Sequence, residues 1–187
     1  LNFNLFKSIL AEKGKIMKIA LVIFDKINLL NLARIRTFLE SLESKPEIKI
    51  CAFKSEISDE YGLKILPQIY GESLYGYDAL ILPDGSGALT LRHDEIFLSW
   101  IKSASRARVK VGFDLGTLVL GAAGFLEGKK ACVRAGYKNA LAEYCEFDSS
   151  AVCVSRDVVT ICGFDGVSGA EAFTAENLRI LEEVLSS

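Results

Sequence analysis

The stretch Gly112-Phe113-Asp114-Leu115-Gly116 carries the clearest chemical pattern in the chain. The apolar run Val109 to Phe113 leads into it, and a second apolar run from Leu115 leads out. That is the layout of a nucleophile elbow, G-x-Nuc-x-G, in which a sharp strand-to-helix turn lifts one side chain above the helix start. Ser or Cys is the usual occupant; here the position is Asp114. A carboxylate at that place has three uses. As a nucleophile it would form an ester with the substrate and would need a base to activate water against that ester. As a general acid or base in hydration it needs only one positioned water. As an N-cap it would accept a hydrogen bond from the second or third helical amide, adding about 1 kcal/mol, with its charge suited to the helix dipole. Caps are common and elbows are rare, so capping is the favoured reading of Asp114 at this level.

Few other residues are equipped to join such chemistry. The single histidine, His93, adjoins Asp94 on an expected surface turn, so it reads as an exposed loop residue and not as a base. With no ligand-spaced partner for it, a zinc site is not expected. The five cysteines, Cys51, Cys132, Cys145, Cys153 and Cys162, are odd in number and contain no C-x-x-C pair. They read as buried free thiols of a cytoplasmic protein. Cys132 lies in the basic context KKACVRA, which would lower a thiol pKa, but a strand cysteine is more often a small buried hydrophobe. No cofactor is expected.

The elements that must position these residues follow from periodicity. Met17–Phe24 is a nearly continuous apolar run, as in a buried parallel strand. Leu29–Leu42 has helical spacing, and Glu47–Phe53 reads as the second strand. Gly62–Pro67 reads as a small extra strand, with Gln68–Tyr75 as loop. Tyr77–Leu82 is a further buried strand, ending in the amide-rich turn Pro83-Asp84-Gly85-Ser86-Gly87. Asp94 is a natural N-cap for an amphipathic helix with Ile96, Phe97, Trp100 and Ile101. Helices are expected over Leu115–Phe125, Tyr137–Tyr144 and Ala170–Leu185, and a hairpin over Ala151–Cys162 turning near Arg156-Asp157. Strands alternating with helices predict a doubly wound, mostly parallel sheet flanked by helices on both faces, a flavodoxin-like three-layer sandwich. In such a sheet ligands bind beyond the carboxyl ends of the strands, where Phe24, Pro83 and Asp114 all lie.

At 187 residues, half of them apolar, the chain is long enough for one well-buried domain. We place that domain at residues 17–187, with 1–16 as an N-terminal extension before the sole methionine, Met17. The extension lacks the features of a signal peptide and reads as a short amphipathic helix. A net charge of −2 gives no footprint for nucleic acid or an anionic membrane, and no apolar run is long enough to span a bilayer. The apolar content is enough to supply a subunit interface.

Five segments, taken in order, resemble the ThiJ/PfpI family of the class I glutamine-amidotransferase-like superfamily, nearest its isocyanide-hydratase-like branch. They are IALVIF-DKINLLNL, GLKILPQ, YDALILPDGSG, the block from LSWIKSASRARVKVGFDLG to AAGFLEGKKA, and VVTICGFDGVSGAEA. The resemblance implies a homodimer and a site at the elbow. The family's nucleophilic Cys corresponds to Asp114, its acid after the first strand to Asn31, and its His after a later strand to Arg134. Its Gly-Gly turn corresponds to Asp84-Gly85. The Asn31 amide can donate to an Asp114 carboxylate without titrating, or Asn31 can be a solvent-facing helix-start residue. Arg134 can neutralise Asp114, clamp a ligand carboxylate, or lie solvated at the surface. Gly85 and Ser86 can offer amides to an oxygen, with Asp84 beside them repelling an anion. The resulting expectation is a non-catalytic or small-molecule-binding homologue whose pocket uses Asn31, Gly85, Ser86, Leu115 and Arg134. The alternative is a hydrolase or hydratase that uses Asp114.

Overall fold

The protein is described by a computed structural model covering residues 16–163 and 174–186. Strand β1 (Lys18–Ile23) is followed by helix α1 (Leu29–Ser41) and strand β2 (Glu47–Ala52). Three two-residue strands come next, β3 (Ile57–Ser58), β4 (Lys64–Ile65) and β5 (Ile69–Tyr70). Strand β6 (Ala79–Leu82) leads to the single-turn helix α2 (Ala88–Leu91) and to α3 (Glu95–Lys102). Strand β7 (Val109–Phe113) and helix α4 (Gly116–Ala122) form the elbow. After β8 (Lys130–Ala131) come helix α5 (Lys138–Leu141), β9 (Glu146–Phe147), the hairpin β10 (Val152–Ser155) and β11 (Val158–Ile161), and helix α6 (Ala175–Ser186).

Seven strands pair in the order β10-β11-β7-β6-β1-β2-β5, parallel throughout except for the β10–β11 hairpin. Strand β1 shows why the order holds. Its residues alternate between two buried faces, with Ile19, Leu21 and Ile23 on one and Ala20, Val22 and Phe24 on the other. The first set packs with Leu32, Ile35 and Leu39 of α1 and with Leu181 and Val184 of α6. The second packs with Phe97, Trp100 and Ile101 of α3 and with Leu118 and Val119 of α4. A strand apolar on both faces is stable only between two helix layers, so the expected three-layer sandwich is observed.

Local chemistry sets several boundaries. Asp94 caps α3, its Oδ1 accepting from the Ile96 and Phe97 amides at 3.0 Å each. The hairpin turns at Arg156-Asp157, with Arg156 at φ +56°. His93 is exposed, as expected. Gln68–Tyr75 is not wholly loop, because Ile69 and Tyr70 pair with Cys51 and Ala52 as the sheet's edge. The expected helix over Tyr137–Tyr144 is reduced to Lys138–Leu141. The amphipathic reading of the N-terminus and the first residues of the expected Ala170–Leu185 helix lie outside the described residues. Among the described residues, no helix is long and apolar enough to cross a membrane.

One buried charge belongs to the scaffold. The Lys110 side chain, 3 % exposed, donates to Ala107 O at 2.7 Å and to Asp157 Oδ2 at 2.8 Å. Burial works to raise the Asp157 pKa, but its pairing with Lys110 and Lys129 outweighs burial and lowers it. The contribution of Asp157 is therefore present above its unfolded pKa and lost as pH falls through the folded value. Asp157→Asn is expected to cost about 2 kcal/mol at neutral pH, because Lys110 loses its counterion but keeps a carbonyl acceptor. The cost should shrink in acid. Urea titrations at neutral pH and near pH 3.5 check both statements, and equal costs at the two values would contradict them.

Candidate functional site

The elbow is present as a backbone structure. Asp114 has φ +47°, a left-handed conformation uncommon for a residue with a side chain. Its amide donates to Ile161 O at 2.9 Å, extending the β7–β11 pairing by one residue, and its carbonyl accepts from the Thr117 amide at 3.0 Å. Space, not flexibility, fixes the flanking glycines. A Cβ on Gly112 would lie 2.9 Å from Thr117 Cα, and one on Gly116 would lie 2.4 Å from Leu82 O and 2.5 Å from Pro83 O. The turn into α4 is thus pressed against the end of β6, and only glycine permits that approach.

The side chain of Asp114 does not cap its helix. No side-chain bond caps α4, and Asp114 Oδ1 accepts instead from the Arg134 amide at 3.1 Å. The capping reading of Asp114 is corrected accordingly: the positive φ turns the carboxylate toward the segment after β8. There the Arg134 guanidinium meets it, Nε lying 3.4 Å from Asp114 Oδ1. The same guanidinium reaches Asp84, with Nη2 at 3.2 Å from Oδ1, and lies over the Tyr137 ring at 5.3 Å. The β6–β7 register, Leu82 opposite Gly112, explains why two carboxylates share one arginine. Two residues further on, Asp84 and Asp114 stand level at the ends of adjacent parallel strands.

Asp84 is the centre of this cluster. It is 1 % exposed, and its Oδ1 accepts from the Leu115 amide at 3.2 Å as well as from Arg134. Its backbone amide donates to Asn31 Oδ1 at 2.9 Å, and its carbonyl accepts from the Asn28 amide at 2.9 Å. Asn28 Nδ2 lies 3.5 Å from the second carboxylate oxygen. Burial raises the Asp84 pKa; Arg134 and the Leu115 and Gly85 amides act against that rise without cancelling it. The neighbouring Ser86 amide is taken as well, by Glu60 Oε1 at 3.1 Å.

The loops after β1 and β6 meet closely enough to hold all this in register. Ile27 bridges both Gly85 and Asp59, and a Cβ on Gly85 would fall 2.6 Å from Lys26 O. Strand order reverses between β1 and β6, so this is the sheet's topological switch point, where open α/β sheets place their ligands.

The residues expected at the site are brought together, though not in the expected pairings. Asn31 is fully buried in α1, which excludes the solvent-facing reading. It does not donate to Asp114: its oxygen serves the Asp84 amide, and its Nδ2 has no hydrogen-bond partner among the described residues. Arg134 adopts the neutralising role and is not a solvated surface residue. Gly85 and Ser86 stand beside carboxylates of the protein itself, and Leu115 contributes its amide. Sequence reasoning treated Asp84 only as a repulsive neighbour and missed Glu60 and Asn28. The available signal was two Asp residues following two apolar strands, with one Arg to share. Among the described residues, no group of three or more His, Cys, Asp or Glu side chains is arranged to hold a metal ion.

Comparison with known proteins bears on this arrangement. The DJ-1/PfpI family pattern matches residues 17–178. An isonitrile hydratase from Pseudomonas putida is 30 % identical over 129 residues, 67 % of this chain and 55 % of that protein. The chain thus spans about half the length of that curated relative. Among solved structures, a ThiJ/PfpI family protein from Pseudomonas syringae superposes with a TM-score of 0.74 at 24 % identity, covering 90 % of this chain and 75 % of the other. DJ-1beta from Drosophila melanogaster gives 0.73 at 15 % identity, covering 91 % of both. With its elbow, its parallel sheet and a pattern match over most of its length, the chain belongs to the DJ-1/PfpI family.

Proposed function

We propose that this chain is a divergent DJ-1/PfpI homologue that binds a small oxygen-bearing molecule, a carboxylate or carbonyl compound, and does not turn it over at the elbow. The observation that carries this reading is the single guanidinium shared by Asp84 and Asp114. A nucleophile or general base must present a lone pair to substrate, whereas Asp114 is 1 % exposed and engaged by Arg134 through both side chain and amide. The amides of Leu115 and Ser86, the donors available to steady a developing oxyanion, face Asp84 and Glu60 instead. Two donors support binding. Arg134 has a side chain 23 % exposed, and Asn31 Nδ2 is a buried donor without a partner among the described residues, a group that native structures rarely leave unsatisfied.

A second reading, hydration or hydrolysis by Asp114, has one observation in its favour. The left-handed φ of +47° is the strained elbow conformation associated with an exposed nucleophile. Asp114→Asn separates the two readings, since Asn keeps an acceptor for the Arg134 amide but has no carboxylate. The wild type is expected to show no turnover of an alkyl isonitrile, a simple amide or an activated ester above that of Asp114→Asn. Both proteins should be stabilised by a small carboxylate or carbonyl compound found by thermal screening, by about 2.7 kcal/mol at a hundredfold excess over Kd. Wild-type turnover abolished by Asp114→Asn would replace the binding reading with the catalytic one.

Two broader properties complete the proposal. All five cysteines are unpaired, which supports a reducing compartment such as the cytoplasm. Family resemblance and exposed apolar side chains, Leu63 and Leu66 among them, support a homodimer.

A further inference from the structure

Three of the five cysteines converge on one face of the β10–β11 hairpin: Cys132, Cys153 and Cys162 form a buried cluster of their own, apart from both aliphatic cores. The pairing of Cys153 with Thr160 places those two side by side, and Cys162, two residues beyond Thr160, returns to the same face. Cys132 closes over them from the segment after β8. Its amide donates to Thr160 Oγ1 at 2.9 Å, and its thiol lies 3.2 Å from Thr160 O and 3.6 Å from Ala151 O. Ala151 O also accepts from the Cys162 amide at 2.8 Å, so residues 132 and 162 share a backbone acceptor. Cys51 and Cys145 lie in the opposite core.

We propose that Cys132 and Cys162 form a reversible intramolecular disulfide when the protein meets a hydroperoxide. The two residues are not equivalent. Cys162 is 9 % exposed and Cys132 fully buried, so an oxidant arriving from solvent meets Cys162 first. The Cys162 thiol lies 3.5 Å from Ser150 O, the carbonyl next to the one that Cys132 meets. The proximity of the two thiols acts to lower the Cys162 pKa, against burial and Asp114, and together with burial to raise that of Cys132. Cys162 is thus the attacking sulfur and Cys132 the resolving one. In the first step the Cys162 thiol gives up its proton and its sulfur attacks the terminal peroxide oxygen; the O–O bond breaks, sulfenic acid forms, and the departing hydroxide or alkoxide takes up that proton and leaves as water or alcohol. In the second the Cys132 sulfur attacks Cys162 Sγ, the S–O bond breaks, and hydroxide leaves as water with the Cys132 proton. Two thiols are oxidised by two electrons and one hydroperoxide is reduced.

The bridge would tie together the two segments that fix the polar site. Cys132 precedes Arg134 by two residues, and Cys162 directly follows Ile161, whose carbonyl holds the Asp114 amide. The experiment is peroxide treatment of the whole chain, quenching by alkylation in denaturant, and mass mapping. The expected result is a loss of about 2 Da per chain, a Cys132–Cys162 cross-linked peptide, full alkylation of Cys51, Cys145 and Cys153, and reversal by dithiothreitol. Cys153→Ser should keep the cross-link, and Cys162→Ser should lose it. All five thiols remaining alkylatable, a bridge joining any other pair, or oxygen adducts on a single cysteine would each overturn the proposal. The wild-type map decides this even if a serine variant fails to fold.

Discussion

Arg134→Met is expected to destabilise the fold by about 3–5 kcal/mol at neutral pH, the largest loss we anticipate from any side chain at the site. The reason is what remains. Asp84 and Asp114 are each about 1 % exposed, and the guanidinium is the cation that reaches both. Methionine fills similar space but leaves two carboxylates facing each other in a low-dielectric cluster, which repel each other and attract protons. The pH dependence follows from Asp84, whose pKa burial already raises above its ordinary 3.8. Its contribution to stability is complete below the unfolded pKa and is lost as pH rises through the folded one. Removing Arg134 lifts that folded value further. The deficit of Arg134→Met should therefore be greatest near pH 7 and should narrow as pH falls towards 4. Denaturant midpoints across this range test the prediction; a deficit under about 1 kcal/mol at pH 7, or one that ignores pH, would show that the cluster is not held by charge.

Gly116→Ala is expected to cost about 3 kcal/mol with no change of charge at all. Its Cβ would enter a space already occupied by Leu82 O at 2.4 Å and Pro83 O at 2.5 Å, both of them backbone atoms. Helix α4 and the end of β6 would have to separate, and the Leu115 amide would draw away from Asp84 Oδ1. Gly136 is the matched control, because a Cβ there meets nothing within 4 Å and its substitution should stay within about 0.5 kcal/mol. Urea unfolding of the two alanine variants side by side gives the comparison. If the two proved equal, elbow packing would not be what demands a glycine.

How far the fold could be read from the chain depended on burial. Strands β1, β6 and β7 are covered on both faces, so each is a short, mostly apolar run, broken in β7 only by the buried Lys110, and each was legible. The two-residue strands β3, β4, β5, β8 and β9 were not, apart from β4 within the expected Gly62–Pro67 strand, because tertiary neighbours and not local pattern create such short pairings. At the site, residue types were legible and pairings were not. Asn31 was expected to donate to the Asp114 carboxylate, whereas its oxygen accepts from the Asp84 amide, a bond that depends on how the β1 and β6 loops meet. Asp114 looked like a cap because capping is local, whereas its actual partner, the Arg134 amide, is brought in by the segment after β8.

That distance along the chain has a kinetic side. The bonds that make the polar cluster join residues 20, 31, 50 and 53 positions apart, and none lies within a single helix or hairpin. They join α1 to the loops that follow β6, β7 and β8, so they need several paired strands already in place and reward the chain late in folding. Interactions absent from the transition state leave the folding rate nearly unchanged and govern how fast the native state comes apart. The cluster is in that sense a latch: the βαβ unit of β1, α1 and β2 can form first, and the shared arginine then holds the assembled sheet shut.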